Sequence, residues 1–330
     1  MRTFDTFDQA YQAMLAIVVH EPDFHNAPRG YASREKLGMN FMIRQPIQRG
    51  VYSSVRKSNI VFNFAEALWY LSGRNDLAMM QYYNKRMPDY SMDGTTLTGT
   101  AYGEKLFHFG QAGVNQWENV VATLRQDPDS KRAVLQIFAA PELGIADNCD
   151  VSCTLGLQFL IREGQLHLVA YMRANDVFRG MVSDIFSFTM IQEMMAHELG
   201  LPVGSYFHQV GTLHLYEPDA TWATHVLADK SITAPTFPAM PSGNNWPMLK
   251  QVMQLEAVLR EDRGQMDWAA ILATGLPPYW QQVVALLSLY QMIAYQRPID
   301  QALLSHLWPI YRNMFAQKWP RQIIAGEQCE

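Results

Sequence analysis

The sequence predicts an α+β domain with a mixed or antiparallel sheet and a long buried helix, followed by an all-helical C-terminal extension. Three observations carry that expectation. Two apolar, partly alternating stretches, Leu155 to Ile161 and Leu166 to Met172, flank Arg162-Glu163-Gly164-Gln165, the pattern of two strands joined by a tight turn. From Ser183 the period changes, and Ile185, Phe186, Phe188, Met190, Ile191 and Met194 mark a buried helix that Gly200 is placed to stop. Beyond Pro247 only helical patterns follow.

The elements fall in order around these landmarks. Ala65 to Leu71 reads as part of an apolar helix, and the strand after the long helix ends in Gly211-Thr212-Leu213-His214-Leu215-Tyr216. Ile232 to Pro247 holds Pro235, Pro238, Pro241 and Pro247 among Ser, Gly and Asn. Lost donors and turn formers make it an irregular connector. Next, Leu249, Val252, Met253, Leu255 and Leu259 share one broad helix face, with Glu256 and Arg260 expected outside it. Pro277 and Pro278 open another apolar helix, and Pro298 precedes a third. The expected division is a catalytic domain over 1–231, a connector over 232–247 and a helical extension over 248–330.

Composition narrows the class. With 26 Lys+Arg against 31 Asp+Glu, the net charge of −5 excludes a polycation drawn to nucleic acid. Apolar residues make up 48% of the 330-residue chain and charged ones 17%, enough for a large core. Cys149, Cys153 and Cys329 cannot form a closed disulfide set, which points to a reducing compartment. The start, MRTFDTFDQAYQ, lacks a signal-peptide pattern. The most apolar stretch, Val283 to Tyr295, carries Ser288 and Gln291 and falls short of the ~20 residues that span a bilayer. A soluble cytoplasmic protein with no membrane or nucleic-acid partner is expected.

Generic motifs are absent: no GxxxxGK[ST], no GxGxxG after a strand, no HExxH. His197-Glu198 lacks the second His of a zinc-protease helix, and Cys149 with Cys153 lack further ligands nearby. No metal site is expected.

The informative residues lie elsewhere. Ser152-Cys153-Thr154 precedes Gln158-Phe159; Met172-Arg173-Ala174-Asn175-Asp176 is followed by Gly180, Val182 and Asp184; Thr212-Leu213-His214-Leu215-Tyr216 closes the series. Upstream stand Glu66-Ala67-Leu68-Trp69-Tyr70-Leu71, Tyr102-Gly103 and Asp127-Pro128-Asp129-Ser130-Lys131-Arg132. In collinear order over roughly residues 5 to 230, this series resembles the thymidylate synthase family. That family shows E-L-L-W-F-L, V-Y-G, D-P-x-S-R-R, P-C-H…Q-F, Q-R-S-x-D-x-x-x-G-x-P-x-N and D-x-H-x-Y blocks.

The resemblance implies a thymidylate synthase-like core, an obligate homodimer, and 5,10-methylenetetrahydrofolate as co-substrate without metal. Cys153 takes the nucleophile's place. A thiolate can add to pyrimidine C6 and make C5 nucleophilic once positive neighbours lower its pKa. Arg173, Arg132, Lys131 and Arg29 take the places of phosphate ligands, with Lys131 and Arg132 reaching the partner subunit's site. His214 and Tyr216 alternate on one strand face, where sugar hydroxyl ligands belong. Glu66 and Tyr102 match the proton-handling pair, Asp184 and Gln158 the base contacts, and Asp176 with Gly180 the pterin contacts.

Departures from the family pattern point to a different substrate. Asp184 replaces the base-reading Asn. Cytosine offers an N3 acceptor beside an N4 donor, and a carboxyl group can accept from N4 while a proton bridges its other oxygen to N3. An Asp ahead of a helix is also an ordinary cap. Lys85 to Ser91 contains no Trp, and Ser183 stands where the family has a folate-stacking Phe. A smaller, more polar wall admits water to the exocyclic carbon and favours a hydroxymethyl product. Thr154 replaces a His, Ala174 a Ser and Lys131 an Arg. The loosened phosphate and sugar cradle makes room for a ribose 2′-hydroxyl. Asp184, Ala174 and Lys131 together resemble the CMP 5-hydroxymethylases of mildiomycin-type nucleoside antibiotic pathways. The expectation is conversion of CMP to 5-hydroxymethyl-CMP. The alternatives are a phage-type dCMP hydroxymethylase and a family member that binds nucleotide without turnover.

Overall fold

The computed structural model describes residues 1–229 and 235–327. The expected 231/232 boundary and Cys329 lie outside the described residues. The chain begins β1 (Arg2–Phe4), α1 (Phe7–His20), β2 (Phe24–Asn26) and β3 (Ser33–Ile43). Helices α2 (Ile60–Leu71), α3 (Leu77–Tyr83), α4 (Tyr102–Phe107) and α5 (Gln116–Gln126) follow. Then come β4 (Val134–Gln136), β5 (Thr154–Arg162), β6 (Gln165–Asp176), α6 (Gly180–Leu199), β7 (Val203–Tyr216) and α7 (Ala220–Ala228).

The strands form one mixed seven-stranded sheet, ordered β1-β3-β7-β6-β5-β4 with β2 on β3. The expected hairpin is β5–β6. Its turn puts both Glu163 (φ 51°) and Gly164 (φ 69°) in the left-handed region, the geometry that matches strand twist. Strands β6 and β7 pair in parallel, so the chain must cross over between them, and α6 makes that crossover. This helix is buried on every side from Ile185 to Ala196, as a helix packed on both sides must be. Gly200 ends it in the left-handed conformation.

One face of the sheet is sealed. Leu166, Leu168 and Ala170 of β6 and Tyr206 and His208 of β7 are fully buried under α6. The opposite face stays open: Val134, Leu155 and Tyr171 are 43%, 42% and 38% exposed.

The extension comprises α8 (Trp246–Arg260), α9 (Trp268–Ala273), α10 (Pro278–Ala294), α11 (Gln301–His306), α12 (Pro309–Lys318) and α13 (Pro320–Glu327). Helices α10 and α12 pack on α2, so extension and sheet layer share one continuous apolar core. Polar bonds fasten the seam. The indoles of Trp117 and Trp246 both donate to Glu198 Oε2, at 2.8 and 2.7 Å. Glu193 on α6 pairs with Arg49 at 2.5 Å and accepts from the Met240 amide at 2.7 Å.

One expectation on α8 is corrected. Glu256 does not face solvent; it is fully buried, accepting from Tyr83 Oη of α3 and from Arg260 Nε, both at 3.0 Å. Two donors turned toward it make an inward carboxylate tolerable. Among the described residues, no helix is long and apolar enough to cross a membrane.

Candidate active site

Cys153 lies one residue before β5, and its loop is held from three sides. The Arg173 amide donates to Cys153 O, while the Arg173 guanidinium donates to Ser152 O and Val151 O, all at 2.8 Å. Lys105 Nζ bridges Glu142 and the Ser152 hydroxyl, and the Ser152 amide donates to Glu142 Oε2 at 2.7 Å. Asp150 accepts from the amides of Thr98, Gly99 and Thr100, each at 2.8 Å. Gly99 is required there: a Cβ would sit 1.9 Å from Asp150 O. Asp150 thereby ties the nucleophile loop to the segment that leads into Tyr102.

Tyr102 opens α4, its ring stacked on Tyr70 at 5.0 Å and on Phe188 of α6 at 6.2 Å. Its phenol lies next to Thr154, although the buried Thr154 hydroxyl has no well-formed hydrogen bond among the described residues. Burial and the nearby Asp184 and Cys153 charges hold this phenol well above its ordinary pKa. Glu66 projects from α2, 6% exposed, with the Ser187 hydroxyl donating to it at 3.2 Å. Burial and the Asp184 charge push Glu66 up to about 8.

Asp184 sits in the second turn of α6 rather than ahead of the helix. The N-cap residue is Arg179, without a side-chain cap bond, and the turn before it is held by Asp176, whose Oδ1 accepts from the Phe178 and Arg179 amides at 2.8 and 3.0 Å. Asp184 is therefore free of the capping role that the sequence left open. Its Oδ2 accepts from Asn175 Nδ2 at 2.7 Å. Burial pushes its carboxyl up to about 7 despite that bond.

The Cys153 thiol departs from expectation. Burial pushes its pKa up; Arg173 and Arg29 pull the other way, while Asp184 and Asp150 add to the rise. Two exposed guanidinium groups do not outweigh desolvation plus two carboxylates. Arg29 nonetheless stands close enough to act on this thiol, from a turn where its own φ is 54°.

The remaining expected residues divide. His214 lies near Arg173 and Asp176, and its ring meets Tyr216 edge-on at 5.1 Å. Ala174, in β6, pairs with Thr212 of β7. Gly180 opens α6, where a Cβ would meet Asp184 Oδ2 at 3.4 Å and Asn175 Nδ2 at 3.5 Å. Gln158, by contrast, is on the open sheet face, donating to Lys131 O at 2.8 Å and accepting from Tyr171 Oη at 3.0 Å. Lys131 and Arg132 are exposed, and their charged heads make no hydrogen bond or ion pair among the described residues.

Sequence reasoning missed Asn175, Asp150, Lys105, Glu142 and Tyr90. Tyr90 ends the turn Met87–Tyr90, near enough to Arg29, Tyr216 and Arg179 to interact with their charges. The wall lacks Trp but retains this one aromatic ring. Among the described residues, no group of three or more His, Cys, Asp or Glu side chains is placed to hold a metal ion.

Cys153, Glu66, Tyr102, Asp184, Arg173 and His214 gather around one sheet end. The family model described as thymidylate synthase matches residues 9–252. The chain belongs to the thymidylate synthase family. The match runs past the expected boundary at 231 into α8, so the family's reach covers the connector as well. Among thymidylate synthase-like proteins, the chain is similar to the deoxyuridylate hydroxymethyltransferase of Bacillus phage SP01, 34% identical over 221 residues. That similarity takes in 64% of this chain and 57% of the phage protein, so the chain spans little more than half its relative's length.

Proposed function

We propose that the protein is a folate-dependent hydroxymethyltransferase that converts CMP to 5-hydroxymethyl-CMP, with dCMP as the weaker substrate. The observation that carries this reading is Asp184: a part-buried carboxyl in the base-reading place, raised to about 7, with no cation paired to it among the described residues. A carboxyl shared between two protonation states offers an acceptor to N4–H2 and a proton to N3. When ionised it accepts from cytosine N4 and repels uracil O4.

The chemistry follows from the neighbours. The Cys153 sulfur adds to C6, and C5 attacks the methylene supplied by 5,10-methylenetetrahydrofolate. Glu66, protonated up to about 8, delivers and removes protons near C5 and the exocyclic amine. Loss of the C5 proton and of tetrahydrofolate leaves an exocyclic methylene. Water adds to that carbon and the sulfur leaves C6, so no hydride is consumed and no dihydrofolate forms. Ser183 supports hydration over reduction, because its hydroxyl faces Asn63 at 3.4 Å where a stacked ring would exclude water. The activity for which the phage relative is named, hydroxymethyl transfer, supports the same outcome.

A small Ala174 beside Arg173 supports ribose over deoxyribose, as in the CMP 5-hydroxymethylases of nucleoside antibiotic pathways. We place the protein as a homodimer whose subunits meet across the open sheet face, with Lys131 and Arg132 serving the partner's phosphate site. Their unengaged charges and the apolar Val134, Leu155 and Tyr171 support that arrangement. The added positive charge would also lower the Cys153 pKa, which the single chain does not achieve.

A second reading, hydroxymethylation of dUMP, has one observation in its favour, the name of the phage relative. One reaction panel separates the two: purified protein, methylenetetrahydrofolate, and CMP, dCMP, UMP or dUMP, with products weighed by mass spectrometry. The expected result is a hydroxymethyl adduct on CMP above dCMP, no dihydrofolate absorbance, and a shift toward uridylate in Asp184→Asn. Preferred turnover of dUMP by the parent protein overturns the base assignment, and a methyl product overturns the hydration step. No product with any nucleotide leaves a nucleotide-binding member without turnover.

A further inference from the structure

Asn175 has no role in the reading above, yet among the described residues it is the one side chain that hydrogen-bonds Asp184. It is 3% exposed, at the end of β6. Its Nδ2 donates to Asp184 Oδ2 at 2.7 Å, while its Oδ1 is buried without a hydrogen-bond partner among the described residues. Leaving an amide oxygen unmatched in the interior is unfavourable, so fold stability alone does not explain an Asn here. Gly180 lies against the pair, its Cβ position 3.4 Å from Asp184 Oδ2 and 3.5 Å from Asn175 Nδ2.

A protonated carboxyl can carry its proton on either oxygen. With the proton on one oxygen it complements one order of donor and acceptor along a pyrimidine edge; with it on the other, the reverse order. Cytosine and uracil present reverse orders at N3 and position 4. An unconstrained carboxylic acid therefore satisfies both bases and selects neither. A donor fixed against one oxygen removes the ambiguity.

We propose that Asn175 is the positioning residue for base selection. By donating to Oδ2 it keeps that oxygen an acceptor and places the carboxyl proton on Oδ1, so the site presents a single donor–acceptor order. This inference rests on Asp184 reading the base, but not on which base is preferred. The same bond favours the ionised form and restrains the rise in the Asp184 pKa. Other titratable groups facing Asp184 are Glu66 and Tyr70 from α2, Tyr102 from α4, Cys153 before β5, Asp176 from β6 and Tyr206 from β7. None of them donates a hydrogen bond to the carboxyl, so Asn175 is the group whose removal isolates the effect.

The test compares the parent with Asn175→Leu, equal in shape but without donor or acceptor, and with the isosteric Asn175→Asp. For each, kcat/KM is measured with CMP and UMP from about pH 6 to about pH 9. In both variants the preference between the two nucleotides should narrow about tenfold, the scale of a hydrogen bond to a charged group. The alkaline inflection of kcat/KM should move up by about one pH unit as the carboxyl holds its proton longer. A uniform drop in activity, with base preference and inflection unmoved, would mean that Asn175 is only structural and would overturn the proposal. Should the leucine variant fail to fold, the aspartate variant carries the same two readouts. If the parent prefers UMP, the cytidylate assignment fails while narrowing and shift still decide the role of Asn175.

Discussion

Helix α6 carries a fully buried Glu193 and a part-buried Asp184, and the chain treats these two acidic side chains in opposite ways. Glu193 faces the extension. Burial pushes its pKa up, but the charge of Arg49 and hydrogen bonds from His197, Arg49 and the Met240 amide outweigh that and hold it below its ordinary value. Asp184 and its neighbour Glu66 face the sheet end with no cation paired to either among the described residues, and burial leaves them at about 7 and about 8. A compensated carboxylate is fixed in one charge state and can only hold structure. An uncompensated one can gain or lose a proton near neutrality, which is what proton transfer and base reading need. The same helix thus joins a seam to a site, and its two ends differ in whether a guanidinium is near.

The largest effect should come from removing the nucleophile at the site end. Cys153→Ser should lower turnover by at least about 10⁴-fold, the scale seen when a nucleophile is deleted, with thermal stability unchanged because the side chain is part-exposed. Single-turnover product analysis checks this. Residual activity above a few per cent of the parent would detach the site from Cys153.

The seam end should respond in stability instead. Arg49→Met leaves Glu193 buried without its cation, which should cost about 3–5 kcal/mol, read as a lowered denaturation midpoint. The double variant Arg49→Met with Glu193→Gln should recover most of that loss, because replacing both charges is far milder than stranding one. Equal losses in the single and double variants would show that the cation acts through its packing on Phe186 and Phe237 alone.

How much of this was legible in the sequence depends on range. The β5–β6 hairpin was readable because Glu163-Gly164 is local turn chemistry, and α6 because its apolar run and Gly200 are local as well. The positions of Cys153, Glu66, Tyr102 and Asp184 were readable through collinear motifs. What holds them was not. Asp150 reaches Thr98, Gly99 and Thr100 across some fifty residues, and Lys105 reaches Glu142 and Ser152 across similar spans. No periodicity signals such pairings. Glu256 was misplaced for the same reason: polarity reads as exposure until a distant Tyr83 supplies a donor. The Cys153 pKa was misjudged because charge can be counted along a chain, whereas desolvation cannot.

The smallest effect bears on both ends at once, through pH. For Asp184 and Glu66 the folded pKa lies above the ordinary values of 3.8 and 4.5. As pH rises from about 4 to about 8, the unfolded chain releases these protons first while the folded chain still holds them. Their contribution to stability is therefore complete at about pH 4 and lost as pH passes the folded values. Glu193 runs the other way, because its lowered folded pKa makes its contribution present above 4.5 and lost as pH falls. The two ends of α6 should thus limit stability from opposite sides. Asp184→Asn and Glu66→Gln should each stabilise the fold at about pH 8.5 by on the order of 2 kcal/mol, with the gain vanishing near about pH 4. Glu193→Gln should instead flatten the acid side and leave the alkaline slope intact. Chemical denaturation across pH measures all three. An alkaline slope unchanged by Asp184→Asn and Glu66→Gln would mean that these carboxyls are compensated after all, and the contrast along α6 would not hold.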